Sequence, residues 1–409
     1  MNTDLIKIPF LTLILSSSVT TAVADDENNF KLAYAAYQQH ISANETELAL
    51  VTARDAQKYG TKVFGKSHTN SANLALNYAR LLNDTGDHEK ARKILKGKLR
   101  ILEEDYGDNS PQLVPMIMEE ARAAKNPKTA QKLLTQAADL SRGYEDKLIE
   151  AQKNFDIVVL LLNWGGSAMV EPFVNRAYEI YVEKLQPNDF RLGLMAYHKA
   201  KWAISRSEHN NALKYLEQSL TAFRSPAGET LGDLERTIRP LLVQTHENLN
   251  QSDAATEHLL VLGAHQDWSE ASEPVFKTEF SAELIEKKMT GEVTLRFTVD
   301  EQGFVRDPVI ANSNQALLEE AALTMIKGFR YSPRFIDSKP VATEGIEYTT
   351  SLNFEKIPSV ARRAALTRPP IRGMMNPDKF DTSECTGNGA SLADSLQACD
   401  GFGSISFGK

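Results

Sequence analysis

GEVTLRFTVDEQGFVRDPVIANSNQALLEEAALTMIKGFRYSPRFIDSKPVATEGIEYTTSLNF, residues 291–354, reads as a complete small α+β unit. Val293, Leu295, Phe297 and Val299 alternate with Glu292, Thr294, Arg296 and Thr298. A period of two marks a strand with one buried face. Asp300-Glu301-Gln302-Gly303 then turns the chain, with Gly303 free to take positive φ. Val305 to Ala311 predicts a second strand. Pro308 lacks an N–H, so it belongs at a bulge or on that strand's open side. Leu317, Leu318, Ala321, Ala322, Met325, Ile326 and Phe329 recur at three- and four-residue intervals and predict one apolar helical stripe. Ser313 or Asn314 is the expected N-cap, and Gly328 and Pro333 end the segment. A last strand alternates Ile346, Tyr348, Leu352 and Phe354 against Glu347, Thr349, Ser351 and Asn353.

The stretch carries Gly291-x-Val293-x-Leu295-x-Phe297-x-Val299, Gly303-x-Val305, Ala321-Ala322, Phe329-Arg330-Tyr331-x-Pro333 and Lys339-Pro340-Val341. In order and spacing it resembles the C-terminal domain of the TonB family, the energy transducers of Gram-negative envelopes. The resemblance makes Gly291, Gly303, Tyr331, Pro333 and Pro340 family-motif positions. The family's usual glycine ahead of Lys-Pro-Val is Ser338 here, which implies an altered turn.

Around this unit the chain has 409 residues, 42% hydrophobic and 24% charged, with a net charge of -8. That length predicts two or three domains. The acidity argues against nucleic acid as a partner, since phosphate binding needs clustered Lys and Arg. Residues 1–24 read as a secretory signal: Ile8 to Leu15 is a short apolar core, and Ala22-Val23-Ala24 precedes the acidic Asp25-Asp26-Glu27. An uncleaved anchor is the alternative, although the stretch from Ile8 to Ala24 falls short of the ~20 apolar residues of a span. Export predicts a periplasmic location, or an inner-membrane anchorage facing the periplasm if the segment is retained. Cys385 and Cys399 are the two cysteines, and in an oxidising compartment they predict a disulfide.

Residues 27–263 read as helical almost throughout. Pro111, Pro115, Pro127, Pro187, Pro226 and Pro240 are expected at breaks between helices. Phe64-Gly65 recurs as Tyr106-Gly107, and Tyr78-Ala79-Arg80 as Glu120-Ala121-Arg122, both at a spacing of 42 (107 − 65). Leu82 to Ala91 has a helix–turn–helix grammar, with Gly86 in the turn and Ala91 opening the second helix. Ser207 to Leu216 repeats it without the glycine. This region resembles tetratricopeptide repeats of the longer kind, which implies about five helical hairpins stacked as a right-handed solenoid. Pro187-Asn188-Asp189 and Trp164-Gly165-Gly166 are expected inter-helix turns. Residues 264–273 read as a linker, 274–356 as the TonB C-terminal-like domain, and 357–409 as an irregular tail. The expected architecture is multidomain: an α-helical tetratricopeptide-like solenoid followed by a small α+β domain.

The sequence holds no HExxH, Walker loop, GxSxG or paired CxxC. Carboxylate runs such as Glu103-Glu104-Asp105 fit solvated helix faces. No catalytic residue, cofactor or metal is called for, and the expectation is a binding protein rather than an enzyme. The chemistry that remains is that of backbone groups at a sheet edge, which can accept an extended peptide as an extra strand. In the TonB family the last strand pairs with a short segment of an outer-membrane transporter. Carried across, the docking edge is Ile346, Glu347, Tyr348, Thr349, Thr350, Ser351, Leu352, Asn353 and Phe354. The alternative is an edge covered by the tail or the repeats. Tyr34, Tyr37, Asn77, Tyr78 and Tyr215 are candidates for a groove in the repeats, or else core.

The expected function is therefore a periplasmic TonB-like protein. It docks an envelope or transporter segment by strand addition while its repeats recruit a second partner. The family's N-terminal helix, which engages the ExbB–ExbD motor, and its Pro-rich spacer find no counterpart in this reading. A transducer with a retained anchor and a scaffold in which the sheet domain caps the solenoid stay open. So does a homodimer through the edge strand.

Overall fold

A computed structural model describes residues 21–163, 169–226, 228–266, 273–280 and 290–353. Up to residue 266 it is helical. The elements are α1 (Thr21–Ser42), α2 (Thr46–Phe64), α3 (Thr69–Asp84), α4 (His88–Leu95), α5 (Lys98–Tyr106), α6 (Val114–Arg122), α7 (Pro127–Ser141), α8 (Lys147–Asn163), α9 (Glu171–Lys184), α10 (Phe190–Ser205), α11 (His209–Phe223), α12 (Asp233–Asn248) and α13 (Ser252–Ala264). They pack as successive antiparallel pairs: α1 with α2, α3 with α4, α6 with α7, α8 with α9, α10 with α11 and α12 with α13. These are tetratricopeptide-like repeats. Among the described residues six such pairs stand, where the sequence predicts about five.

The turn chemistry explains the spacing seen in the sequence. Gly65 and Gly107 cap α2 and α5 with φ of 93° and 83°, a backbone that side chains rarely adopt. Gly86 turns α3 into α4 with φ 79°, and Ala91 is fully buried at the contact. In the glycine-free version Ser207 takes the left-handed conformation instead, with φ 59°. Asp189 caps α10 by accepting from the Arg191 N–H at 2.9 Å, which confirms the turn before it. Pro240 departs from expectation. It lies inside α12, where packing of Ile238, Leu242 and Val243 outweighs the lost hydrogen bond. Trp164-Gly165-Gly166 lies outside the described residues.

Contacts divide the chain between Lys184 and Leu185 into two compact units. The second contains α10 to α13 and a small sheet domain. Its strands are β1 (Thr290–Val299), β2 (Val305–Ser313), β3 (Arg334–Ile336), β4 (Lys339–Val341) and β5 (Thr343–Asn353), with α14 (Ala316–Ile326) after β2. The main sheet has the order β2-β1-β5, antiparallel throughout, and β3 and β4 form a separate hairpin. Val293, Leu295, Phe297 and Val299 form the floor of the core, as their alternation predicts, with Leu318, Ala322, Met325 and Ile326 of α14 above them.

Two details of α14 correct the sequence reading. Leu317 is 72% exposed and no part of the stripe, since one residue further along a helix turns to a different face. The N-cap position falls to Gln315, which makes no side-chain cap. Ser313 Oγ accepts from the Gln315 N–H at 3.2 Å, and Asn314 Oδ1 accepts from the Glu292 N–H at 2.7 Å, so Asn314 ties the helix start to β1 instead.

Candidate partner-binding edge

β5 is held from one side by β1. Eight consecutive pairs run without a break, from Thr290↔Asn353 to Phe297↔Ile346. Ile346, Tyr348, Thr350 and Leu352 turn inward, and Phe329 packs against Tyr348 edge-to-face at 5.1 Å. Glu347, Thr349 and Ser351 face solvent. On that open face Arg296 donates to Glu347 Oε1 at 2.9 and 2.7 Å, and the Thr294 and Thr349 hydroxyls share a hydrogen bond of 2.9 Å. Such exposed cross-strand pairs fix register more than they add stability.

Among the described residues nothing pairs with the outer side of β5, and the same is true of β2. The two edges differ. β2 is broken by two register shifts against β1, one beside Asp307 and Pro308 and one beside Ala311. Pro308 thus sits at a bulge, as its missing N–H predicted. Bulges and proline blunt an edge against pairing. β5 bulges only at its start, at Glu344 and Gly345, and is regular from Ile346 to Asn353. β5 is therefore the more regular of the two edges.

The family-motif positions hold this sheet in place. Gly303 takes φ 84° in the β1–β2 turn, and an added Cβ would lie 2.0 Å from the Tyr331 carbonyl oxygen. The Tyr331 N–H donates to the Gly303 carbonyl at 2.9 Å. Tyr331 itself is fully buried 5.6 Å from Phe297, and burial raises its phenol well above the usual range. At Gly291 a Cβ would press on Gln315 and Leu318, so the missing side chain lets α14 close on β1. Pro340 pairs with Phe335 in the β3–β4 hairpin. Asp337 and Ser338 turn that hairpin with φ of 50° and 62°. Pro333 lies against α13, where its carbonyl oxygen would be 2.3 Å from a Cβ on Gly263.

Between these positions sits Arg330, 1% exposed. Its backbone pairs with Phe276, and its guanidinium lies 3.7 Å over the Phe304 ring. Nη2 donates to Thr256 Oγ1 at 2.6 Å and to the Gln302 carbonyl at 3.0 Å, while Nη1 donates to Glu247. Burial lowers its pKa and Glu247 opposes the change. One arginine thus joins α12, α13, the β1–β2 turn and the segment before the sheet.

The family described as "Gram-negative bacterial TonB protein C-terminal" matches this region, at residues 277–354. Residues 277–354 are a TonB C-terminal domain. Solved structures similar to the chain include BtubC from P. vanneervenii, at 13% identity over 57% of this chain and 87% of that one, with a TM-score of 0.37. A putative kinesin light chain with TPR-like repeats from Podosopora anserina is 14% identical over 50% of this chain and 99% of that one, at a TM-score of 0.39. Pseudomonas aeruginosa pilF is 15% identical over 58% and 92%, at 0.35. A comparison with curated proteins finds no match.

In this chain the TonB C-terminal domain follows the helical repeats, and a TonB C-terminal domain implies a protein-interaction role in the Gram-negative envelope. Phe354, Cys385 and Cys399 lie outside the described residues. Of the groove candidates, Tyr37, Asn77 and Tyr78 are buried, and Tyr34 and Tyr215 are half-buried. Arg330 stands within the Phe329-Arg330-Tyr331 motif, which by itself gives it no role. A charged residue inside an apolar run, between Phe329 and Tyr331, was the available signal, because such a charge needs a buried partner. No described helix is long and apolar enough to cross a membrane.

Proposed function

We propose that the TonB C-terminal domain docks an extended segment of an envelope or outer-membrane transporter protein by strand addition to β5, in the periplasm, while the repeats recruit a second partner. The observation that carries this reading is the contrast between the two sheet edges. β5 offers eight residues in unbroken register, and β2 is bulged twice. An added strand gains main-chain hydrogen bonds along such an edge.

The test is binding of a fluorescent extended peptide to the full chain, with paired proline variants. Successive residues of an antiparallel strand direct their N–H groups to opposite sides. Of Thr350→Pro and Ser351→Pro, one therefore removes a donor of the β1 ladder and the other a donor of the open edge. Loss of binding in a variant that still unfolds like the parent supports docking on β5. Full binding by both folded variants rejects it. Intact mass of the protein from its native envelope tests the location: a chain starting at Asp25 fits a cleaved signal, and one retaining Leu5 to Ala24 fits an anchor.

A second reading draws on Arg330. Its contacts with α12 and α13 favour a structural role in which the domain caps the last helix pair. Normal peptide-free assembly with no peptide binding at any β5 position would leave that role alone standing.

A further inference from the structure

The two faces of the β5 edge are unlike. On the helix side of the sheet Ile346 and Tyr348 lie beside Phe297 and Leu295 of β1. The two β1 residues are 3% and 0% exposed, while Ile346 and Tyr348 are only half-buried. The cause is the placement of α14, which packs chiefly over β1 and β2. Ile346 and Tyr348 thus pack against the core on one flank and keep apolar surface in water on the other. Lys277 lies 5.3 Å over the Tyr348 ring, but it is paired with Glu273 at 3.2 Å, so this rim offers no unbalanced charge.

The opposite face is polar. Glu347, Thr349 and Ser351 are exposed, with Glu347 held by Arg296 and Thr349 by Thr294. A strand added to β5 lies about 4.8 Å beyond it, one strand spacing. Side chains of directly opposite residues share a face, with Cβ atoms about 4.5–5.5 Å apart. An incoming side chain therefore meets β5 itself, and successive ones meet the apolar face and the polar face in turn. Opposite Ile346 or Tyr348 an apolar group takes their remaining surface out of water, whereas a charged group there loses hydration without gaining a partner. On the other face a charged group stays solvated.

We infer that the segment recognised by β5 is a two-faced strand, with apolar side chains opposite Ile346 and Tyr348 and polar ones in line with Glu347, Thr349 and Ser351. This rests on strand addition to β5 and names the pattern by which the edge chooses its partner. Main-chain bonds are shared by every sequence, and alternate side chains supply the discrimination. Because the side-chain period is two, a slip of one residue turns the wrong face inward, so the pattern also fixes which residues point to the core side.

The probe is a set of fluorescein-labelled octapeptides that alternate Val and Thr, with a single Glu or Lys guest moved along the peptide. Binding to the full chain is read by anisotropy. Either guest at a central Val position is expected to weaken binding about tenfold, and at a Thr position less than about twofold. Ile346→Thr keeps a β-branched residue on the strand and should shrink the contrast between the two sets of positions. Its unfolding curve checks the fold. An undiminished contrast in that folded variant places the apolar contact elsewhere and overturns the inference. So does a loss that follows the sign of the guest's charge instead of its position. Equal losses at Val and Thr positions, with binding still abolished in the β5 proline variant, overturn the two-faced pattern and leave strand addition standing. Binding of no peptide overturns both together.

Discussion

Arg330 and Glu247, 83 positions apart, meet as a buried ion pair between the sheet domain and α12. Their side chains are only 2% and 11% exposed. Breaking such a pair by removing one partner leaves a charge in the interior, at a cost of about 3–5 kcal/mol. Glu247→Ala is expected to destabilise the second unit by that amount in urea titrations. Replacing both partners, as Glu247→Leu with Arg330→Met, should cost less than the sum of the two single changes. Additive losses would mean that the pair is not energetically coupled.

Gly303 and Gly345 both take positive φ, at 84° and 74°, but differ in surroundings. A Cβ at Gly303 would run into the Tyr331 carbonyl, and one at Gly345 would meet open space. Gly345→Ala should cost about 1 kcal/mol, the penalty of the left-handed backbone alone. Gly303→Ala should cost at least twice that, because the turn must also move off Tyr331. Equal melting temperatures for the two variants would contradict the close approach.

The buried His198 and the half-buried Glu120 give stability opposite dependences on pH. Burial, with Lys201 nearby, pushes His198 down to about 3, and its Nε2 has no hydrogen-bond partner. The unfolded imidazole takes a proton below about 6.5 and the folded one does not, so stability falls as pH drops below that value, by up to about 1.4 kcal/mol per pH unit. His198→Leu should flatten the loss between pH 6.5 and 4.5. Burial first, and then Glu103, raises Glu120 to about 7. Its contribution is present below the ordinary carboxylate range and is lost as pH rises through 7. Glu120→Gln should therefore stabilise the first unit at pH 8 by about 1–2 kcal/mol, allowing for its partial solvent screening. Chemical denaturation at pH 5, 6.5 and 8 separates the two effects.

Much of the sheet domain was legible because its signals are local. The alternation of Val293 to Val299 and the missing N–H of Pro308 each dictate geometry within a few residues. The β3–β4 hairpin escaped notice because strands of three residues carry no period, and Asp337-Ser338 is not a strong turn signature. Leu317 misled because adjacent leucines both suit a stripe and only one can face the core. Pro240 misled because a rule about isolated helices yields to the packing of α12. The edge at β5 could be named from sequence, but its contrast with β2 could not, since bulges are properties of pairing between distant segments. The role of Arg330 depends on Glu247 and Thr256, 83 and 74 residues away, and no local pattern reports such distances.

Val243, Ala255 and Leu259 of the last helix pair share a buried cluster with Phe276, and Gly263 leaves room for Pro333. Helix and sheet here were fitted to each other atom by atom. Anyone transplanting the sheet domain into another protein must carry α12 and α13 with it. A graft cut at the apparent linker would expose a raw apolar face and a stranded guanidinium, and would be expected to aggregate.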